Sequence, residues 1–143
     1  MFMGEFHHSI DDKSRLIIPS KFRNMLGNGF IITRGIERCL YIYPKDKFDK
    51  IVEKLNSLPF TKKDAREFIR FFLSGATTVE FDKQGRIVIP GTLKEYANIS
   101  KNCTILGTGD RAEIWDEDTW NNVYNSTYDN MSDIAESLFD TNI

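Results

Sequence analysis

The feature that most limits the fold of this chain is a nine-residue phrase that occurs twice. Asp11-Asp12-Lys13-Ser14-Arg15-Leu16-Ile17-Ile18-Pro19 returns as Asp82-Lys83-Gln84-Gly85-Arg86-Ile87-Val88-Ile89-Pro90. Both copies read Asp-x-x-x-Arg, three aliphatic residues, Pro, and they start 71 positions apart in a chain of 143. Self-similarity at such a period marks one supersecondary unit used twice.

The surroundings of the two copies also match. In the first half, Glu5–Ile10 and Arg15–Ile18 are extended runs on either side of Asp11-Asp12-Lys13-Ser14, which reads as a hairpin. Pro19 suits the first position of a helix, where its missing N–H costs nothing. Phe22, Met25 and Leu26 give that helix an apolar face before Gly27 and Gly29 end it. Phe30–Thr33 and Cys39–Tyr43 predict a second strand pair, and Phe48, Ile51, Val52 and Leu55 predict a helix that stops before Pro59. Thr61-Lys62-Lys63-Asp64 has the form of a capping box. The helix it opens carries Ala65, Phe68, Ile69 and Phe72 on one face and Lys62, Arg66 and Arg70 on another, and Ser74-Gly75 closes it.

In the second half, Thr77–Phe81 and Arg86–Ile89 flank the turn at Asp82–Gly85, and Pro90 opens a short helix with Leu93, Tyr96 and Ala97. Cys103–Leu106 and Glu113–Trp115 read as strands around Gly107-Thr108-Gly109-Asp110. One last helix is expected from Trp120 through Val123, Tyr124, Thr127, Met131 and Ile134 or Ala135 to Leu138.

Four short strands and two helices in about 55 residues are marginal for an independent core. The expectation is therefore an α+β fold with two pseudo-symmetric modules, residues 1–60 and 76–124, sharing one sheet or β-barrel core about a pseudo-two-fold axis. Residues 61–75 form the connecting helix and 125–143 a C-terminal helical extension.

Charge is unevenly spread. Residues 110–143 carry nine acidic side chains and one basic, Arg111, which leaves 18 basic and 12 acidic groups, a local charge of +6, in residues 1–109. A chain of net charge −2 can thus still present a positive face. No apolar run approaches the roughly 18 residues of a membrane span, and the N-terminus lacks the pattern of a signal peptide. Cys39 and Cys103 stand alone, so neither a zinc site nor a disulfide is expected. His7 and His8 alternate along a strand and cannot share one metal. Gly107-Thr108-Gly109 lacks the rest of a phosphate loop. No nucleophile, base or carboxylate constellation appears, so neither an enzyme nor a cofactor is expected. The aromatic residues Phe68, Phe71, Phe72, Trp115 and Trp120 read as packing.

The repeated motif itself has two compatible readings. An Asp and an Arg across a tight turn make a local ion pair, while the aliphatic triplet and Pro build core and start a helix. An arginine at a hairpin edge also has the reach to pair with guanine O6 and N7 in the major groove. On this reading Arg15 and Arg86 are the contact residues, and Lys13, Lys83, Lys21, Arg23 and Lys94 lie near phosphates and set the register. Asp11 and Asp82 support the turns rather than face DNA.

Further phrases bring a family into view. Phe30-Ile31-Ile32-Thr33-Arg34-Gly35, Ser57-Leu58-Pro59, Asp64-Ala65-Arg66, Phe71-Phe72-Leu73-Ser74-Gly75-Ala76 and Glu113-Ile114-Trp115, in this order with the two Asp-x-x-x-Arg motifs, make the chain resemble the MraZ family along nearly its whole length. These are bacterial transcriptional regulators built from two AbrB-like modules. The resemblance implies swapped hairpins interleaved between the halves and a ring-shaped homo-oligomer with the Asp-x-x-x-Arg turns on one face. It also implies binding to short G-rich direct repeats in double-stranded DNA upstream of the division and cell-wall gene cluster, in the cytoplasm at the nucleoid. The chain departs from the family at Ser14, where Gly is common, and a positive φ there would strain it mildly. The rival expectation is an AbrB-like antitoxin or other protein-interaction module, motivated by the acidic C-terminal segment.

Overall fold

A computed structural model describes residues 1–139. The chain runs β1 (Phe2–Ser9), β2 (Arg15–Ile17), α1 (Ser20–Leu26), β3 (Phe30–Arg34), β4 (Leu40–Tyr43), α2 (Lys45–Asn56) and α3 (Lys63–Ser74). It continues β5 (Thr77–Val79), β6 (Arg86–Val88), α4 (Gly91–Tyr96), β7 (Asn102–Gly109), β8 (Ala112–Asp116), α5 (Glu117–Tyr128) and α6 (Met131–Leu138). Residues 140–143 of the expected C-terminal extension lie outside the described residues.

The strands form an antiparallel six-stranded sheet, β1-β7-β8-β4-β3-β5, and a separate two-stranded ladder, β2-β6. Exchanging β1 with β5, β3 with β7 and β4 with β8 leaves the sheet order unchanged when it is read from the other end. The duplication is thus written into the pairing. The first strand of each half lies on the edge of the other half's strand pair, and β4 and β8 join the halves at the centre. Their register is symmetric about Tyr41↔Glu113, with Leu40↔Ile114 and Ile42↔Ala112 on either side. The ladder is symmetric about Leu16↔Ile87.

Three expectations change. The shared sheet is not a closed barrel among the described residues, because β1 and β5 are its two free edges. The hairpin expected between Glu5–Ile10 and Arg15–Ile18 forms at its turn but not along its strands: β1 pairs with β7 and β2 with β6. Local patterning locates a turn, but which strand fills each edge depends on the other half, since neither half closes its own sheet. In the β7–β8 hairpin, Gly107, Thr108 and Gly109 belong to the strand, and the turn moves on to Asp110 and Arg111, closed by Thr108 N–H donating to Arg111 O at 2.9 Å.

Helix ends follow local chemistry with similar adjustments. Pro19, Pro44 and Pro90 each occupy the N-cap of a helix, one position earlier than expected for Pro19 and Pro90. Their fixed φ suits the turn into a helix. The capping box at Thr61 does not form: α3 starts at Lys63 after Lys62, without a side-chain cap. The last helix is two, broken at Asp129-Asn130, residues that compete with the helical backbone for hydrogen bonds. Just before the break the hydroxyls of Ser126 and Thr127 donate back to Val123 O at 2.9 and 3.0 Å, a pattern that weakens the turn they sit on.

The central sheet is covered on both faces. One core gathers Leu16, Ile18, Ile87 and Ile89 from around the ladder, Phe22 and Leu93 from the helices α1 and α4, and Ile32, Leu40, Ile42, Ile105 and Ile114 from the sheet. The opposite face holds Tyr41, Tyr43, Leu106 and Trp115 against Phe48 and Leu55 of α2 and Phe72 of α3. This double burial is why all four residues of β4 are buried. Both cores draw on both halves, so neither half has a core of its own. Cys39 and Cys103 are buried and free; burial pushes the Cys103 thiol up to about 12, which keeps it an inert packing group.

Candidate nucleic-acid interface

The ladder β2–β6 carries the repeated motif. Each turn closes around its aspartate. Asp11 Oδ1 accepts from the backbone N–H groups of Lys13 at 3.0 Å and Arg15 at 2.8 Å, and Oδ2 accepts from Arg15 Nε at 2.6 Å. In the second copy Asp82 Oδ1 accepts from Gln84 N at 2.8 Å and Arg86 N at 2.9 Å, and Oδ2 from Arg86 Nε at 2.7 Å. Two backbone donors and one charged donor satisfy each carboxylate. The Arg15 amide is the main group holding Asp11 below the ordinary carboxylate value of 3.8; burial opposes it, and the Arg15 guanidinium and the Lys13 amide add to the lowering. Arg86 and Gln84 do the same for Asp82.

An ion pair this exposed adds little stability. Its effect is geometric: because the aspartate takes Nε, each guanidinium is aimed while its two terminal amines form no hydrogen bond among the described residues. Arg15 and Arg86 side chains are 31% and 24% exposed, held yet accessible. A planar fork with two free parallel donors matches a guanine edge or a phosphate.

The two turns also bond across the pseudo-axis. Ile89 N–H donates to Ser14 O at 2.8 Å, and Ile18 N–H donates to Gly85 O at 3.1 Å. Each turn is therefore pinned by the strand of the other half. Both central positions take positive φ, 60° at Ser14 and 76° at Gly85. The mild strain expected at Ser14 is present.

Two basic side chains expected near phosphates sit at equivalent helix positions, and each reaches the turn of the other half. Lys94 of α4 donates from Nζ to Ser14 Oγ at 3.4 Å. Arg23 of α1 donates from Nη1 to Ile18 O at 3.2 Å and covers Gly85, where any added side chain would collide with the guanidinium. Lys13 and Lys83 are exposed at the turn tips, and Lys21 is exposed on α1 with no ion pair among the described residues.

Other basic residues are committed elsewhere. Arg34 Nη1 donates to Phe71 O at 2.8 Å and Ser74 Oγ at 3.0 Å, latching the C-terminal end of α3 onto β3. There a cation complements the helix dipole. Arg111 lies 3.9 Å over the Tyr41 ring and donates to Glu113. His7 faces Glu5 and Glu117 at 3.0 and 3.2 Å.

The aliphatic triplets depart from expectation. Only two of each three are core: Leu16, Ile18, Ile87 and Ile89 are at most 1% exposed, whereas Ile17 and Val88 are 41% and 57% exposed. A triplet in a two-residue period has to put its middle member on the outer face. That period was the signal available in the sequence, and assigning the whole triplet to the core passed over it.

The described helices include none long and apolar enough to cross a membrane. A family model described as "MraZ protein, putative antitoxin-like" matches residues 1–71 and again residues 72–142, so that its two copies divide the chain where the repeat does. The chain belongs to the MraZ family.

Proposed function

We propose that this chain is a sequence-specific regulator of transcription that binds double-stranded DNA through the β2–β6 ribbon. The observation that carries this reading is the pair of turns with matching hydrogen bonds in which Asp11 and Asp82 hold Arg15 and Arg86 by Nε and leave their terminal amines without a partner among the described residues. The major groove admits a two-stranded ribbon, and a fork of paired amines matches guanine O6 and N7. Arg23, Lys94, Lys13, Lys83 and Lys21 then supply phosphate contacts that fix the register.

One ribbon makes few contacts. Interleaved swapped hairpins and assembly into a ring would present many ribbons to successive G-rich direct repeats, with affinity gained through effective concentration. Such repeats would lie upstream of the division and cell-wall gene cluster, and the protein would act at the nucleoid. A positive face on a body of local charge +6 reconciles DNA binding with a net charge of −2.

A gel shift on duplexes carrying such repeats tests this. Arg15→Ala and Arg86→Ala should each weaken binding, the double variant more so, and wild-type affinity should fall as salt rises. Unchanged binding in all three variants would exclude the mechanism.

A second reading, a protein-interaction module, is favoured by the antitoxin-like description of the family and by α5 and α6, where Tyr124, Tyr128, Met131, Ile134 and Leu138 are exposed among acidic residues. Deleting residues 126–143 discriminates: partner capture that survives the deletion counts against it.

A further inference from the structure

The outer face of the ribbon alternates charge and hydrocarbon. Arg15 stands directly opposite Val88, and Ile17 directly opposite Arg86. All four project away from Leu16 and Ile87, which are buried at the centre of the ladder. Each arginine therefore has an exposed aliphatic neighbour across the ladder, about 5 Å away, and another two residues along its own strand, about 6.7 Å away. The second spacing equals two base-pair steps of about 3.4 Å. Ile17 and Val88 thus keep 41% and 57% of their surface in solvent amid cations, outside the buried core.

We propose that Ile17 and Val88 are specificity-determining residues that touch the C5-methyl groups of thymines lying one or two base pairs from the guanines paired with Arg15 and Arg86. The inference rests on the DNA-binding reading above. The major-groove edge of a T·A pair offers a methyl group, and an aliphatic side chain can cover it. Cytosine places an amino donor nearby, which the same side chain would strip of water and leave unpaired. The ribbon would thus read guanine by hydrogen bonds and an adjacent thymine by hydrocarbon, once on each side of its pseudo-axis. Charge favours DNA over a second copy as the occupant. Two such faces brought together would oppose Arg15 and Arg86 with their own equivalents, with Lys13, Lys83, Arg23 and Lys94 close by. A polyanion neutralises the same groups.

The test uses the full chain and a duplex that the wild type enriches from a randomised pool, prepared once with thymine and once with deoxyuridine in its place. That exchange removes the methyl group and leaves the hydrogen-bonding edge intact. Wild type should bind the deoxyuridine duplex about fourfold more weakly for each methyl group taken out of the interface. Ile17→Ala with Val88→Ala should bind both duplexes equally while staying folded by circular dichroism, because neither residue belongs to the buried core. The inference is overturned if wild type binds the two duplexes alike, if the double variant keeps the preference, or if the enriched site has no thymine within two base pairs of a guanine. It is also overturned if the variant keeps the preference and instead changes its mass in light scattering, which would assign the face to a subunit contact. A pool from which wild type enriches nothing removes the DNA-binding reading and this inference together.

Discussion

At the first turn Ser14 takes φ 60° and its hydroxyl accepts from Lys94 at 3.4 Å; at the second Gly85 takes φ 76° and the Arg23 guanidinium fills the space where a side chain would stand. The hydrogen bonds from the backbone to Asp11 and to Asp82 at the two arginines differ by no more than about a tenth of an ångström between the copies, and so do the distances to the Arg15 and Arg86 guanidinium groups. Identical turns therefore do not require identical residues. The aspartate and the carbonyl bond from the opposite half set the backbone. The central residue only has to tolerate it, and what tolerance demands depends on which basic side chain arrives from the other module. Glycine is needed at 85 for room as well as for φ, whereas Ser14 keeps its side chain and gains a partner in Lys94.

The match between the two turns is most vulnerable at the pseudo-axis. Leu16→Ala and Ile87→Ala face each other in one core, and each should destabilise the chain by about 2–5 kcal/mol. Because that core belongs to both halves, urea unfolding followed by circular dichroism should stay a single transition in either variant. Two transitions would mean that the halves fold separately.

Exchanging the central residues probes the difference directly. Gly85→Ser combines left-handed strain with displacement of Arg23 and should cost about 1–3 kcal/mol. Ser14→Gly relieves strain, removes the Lys94 bond and gains chain entropy when unfolded, so it should stay within about 1 kcal/mol of wild type. Equal destabilisation by both variants would show that Arg23 yields freely.

Equal geometry predicts equal function: Arg15→Ala and Arg86→Ala should each weaken specific DNA binding by about 1–3 kcal/mol, read as Kd at fixed salt. A large inequality would assign base reading to one copy and backbone contact to the other. Arg23→Ala and Lys94→Ala should weaken binding across all sequences and lower the salt slope by about one each.

The smallest effect is on acid stability. Asp11 and Asp82 both titrate below 3.8 in the folded chain, so their contribution is complete above that pH and is lost as pH falls through the lower folded values. Asp11→Asn or Asp82→Asn should therefore shallow the fall in stability below pH 4 and leave its slope near neutrality unchanged, as measured by urea titrations at stepped pH. Equal shallowing in the two variants would extend the match between the copies to their electrostatics.

Much of the candidate site was legible in the sequence because its chemistry is local. Asp-x-x-x-Arg spans one turn, and a carboxylate four residues before an arginine reaches its amide and its Nε with no help from elsewhere. Helix starts at Ser20, Lys45 and Gly91 are local for the same reason, since proline restricts its own φ and its neighbours. The duplication, the aromatic packing at Phe72 and Trp115, and the strand pairs β3–β4 and β7–β8 follow from periodicity.

Other features needed partners distant in sequence. The exchange of β1 and β5 between halves, the open sheet in place of a barrel and the meeting of Arg23 with Gly85 join residues tens of positions apart. Capping at Thr61 and continuity through Asp129 failed for the opposite reason, because weak local preferences had nothing to reinforce them. A duplicated turn that aims an arginine is encoded by neighbouring residues, since it needs only their own atoms. That the two turns lie side by side on one ribbon, each arginine opposite an aliphatic residue of the other half, depends on the tertiary fold. Strand pairing between halves is a choice among edges, and only burial of the shared core makes that choice.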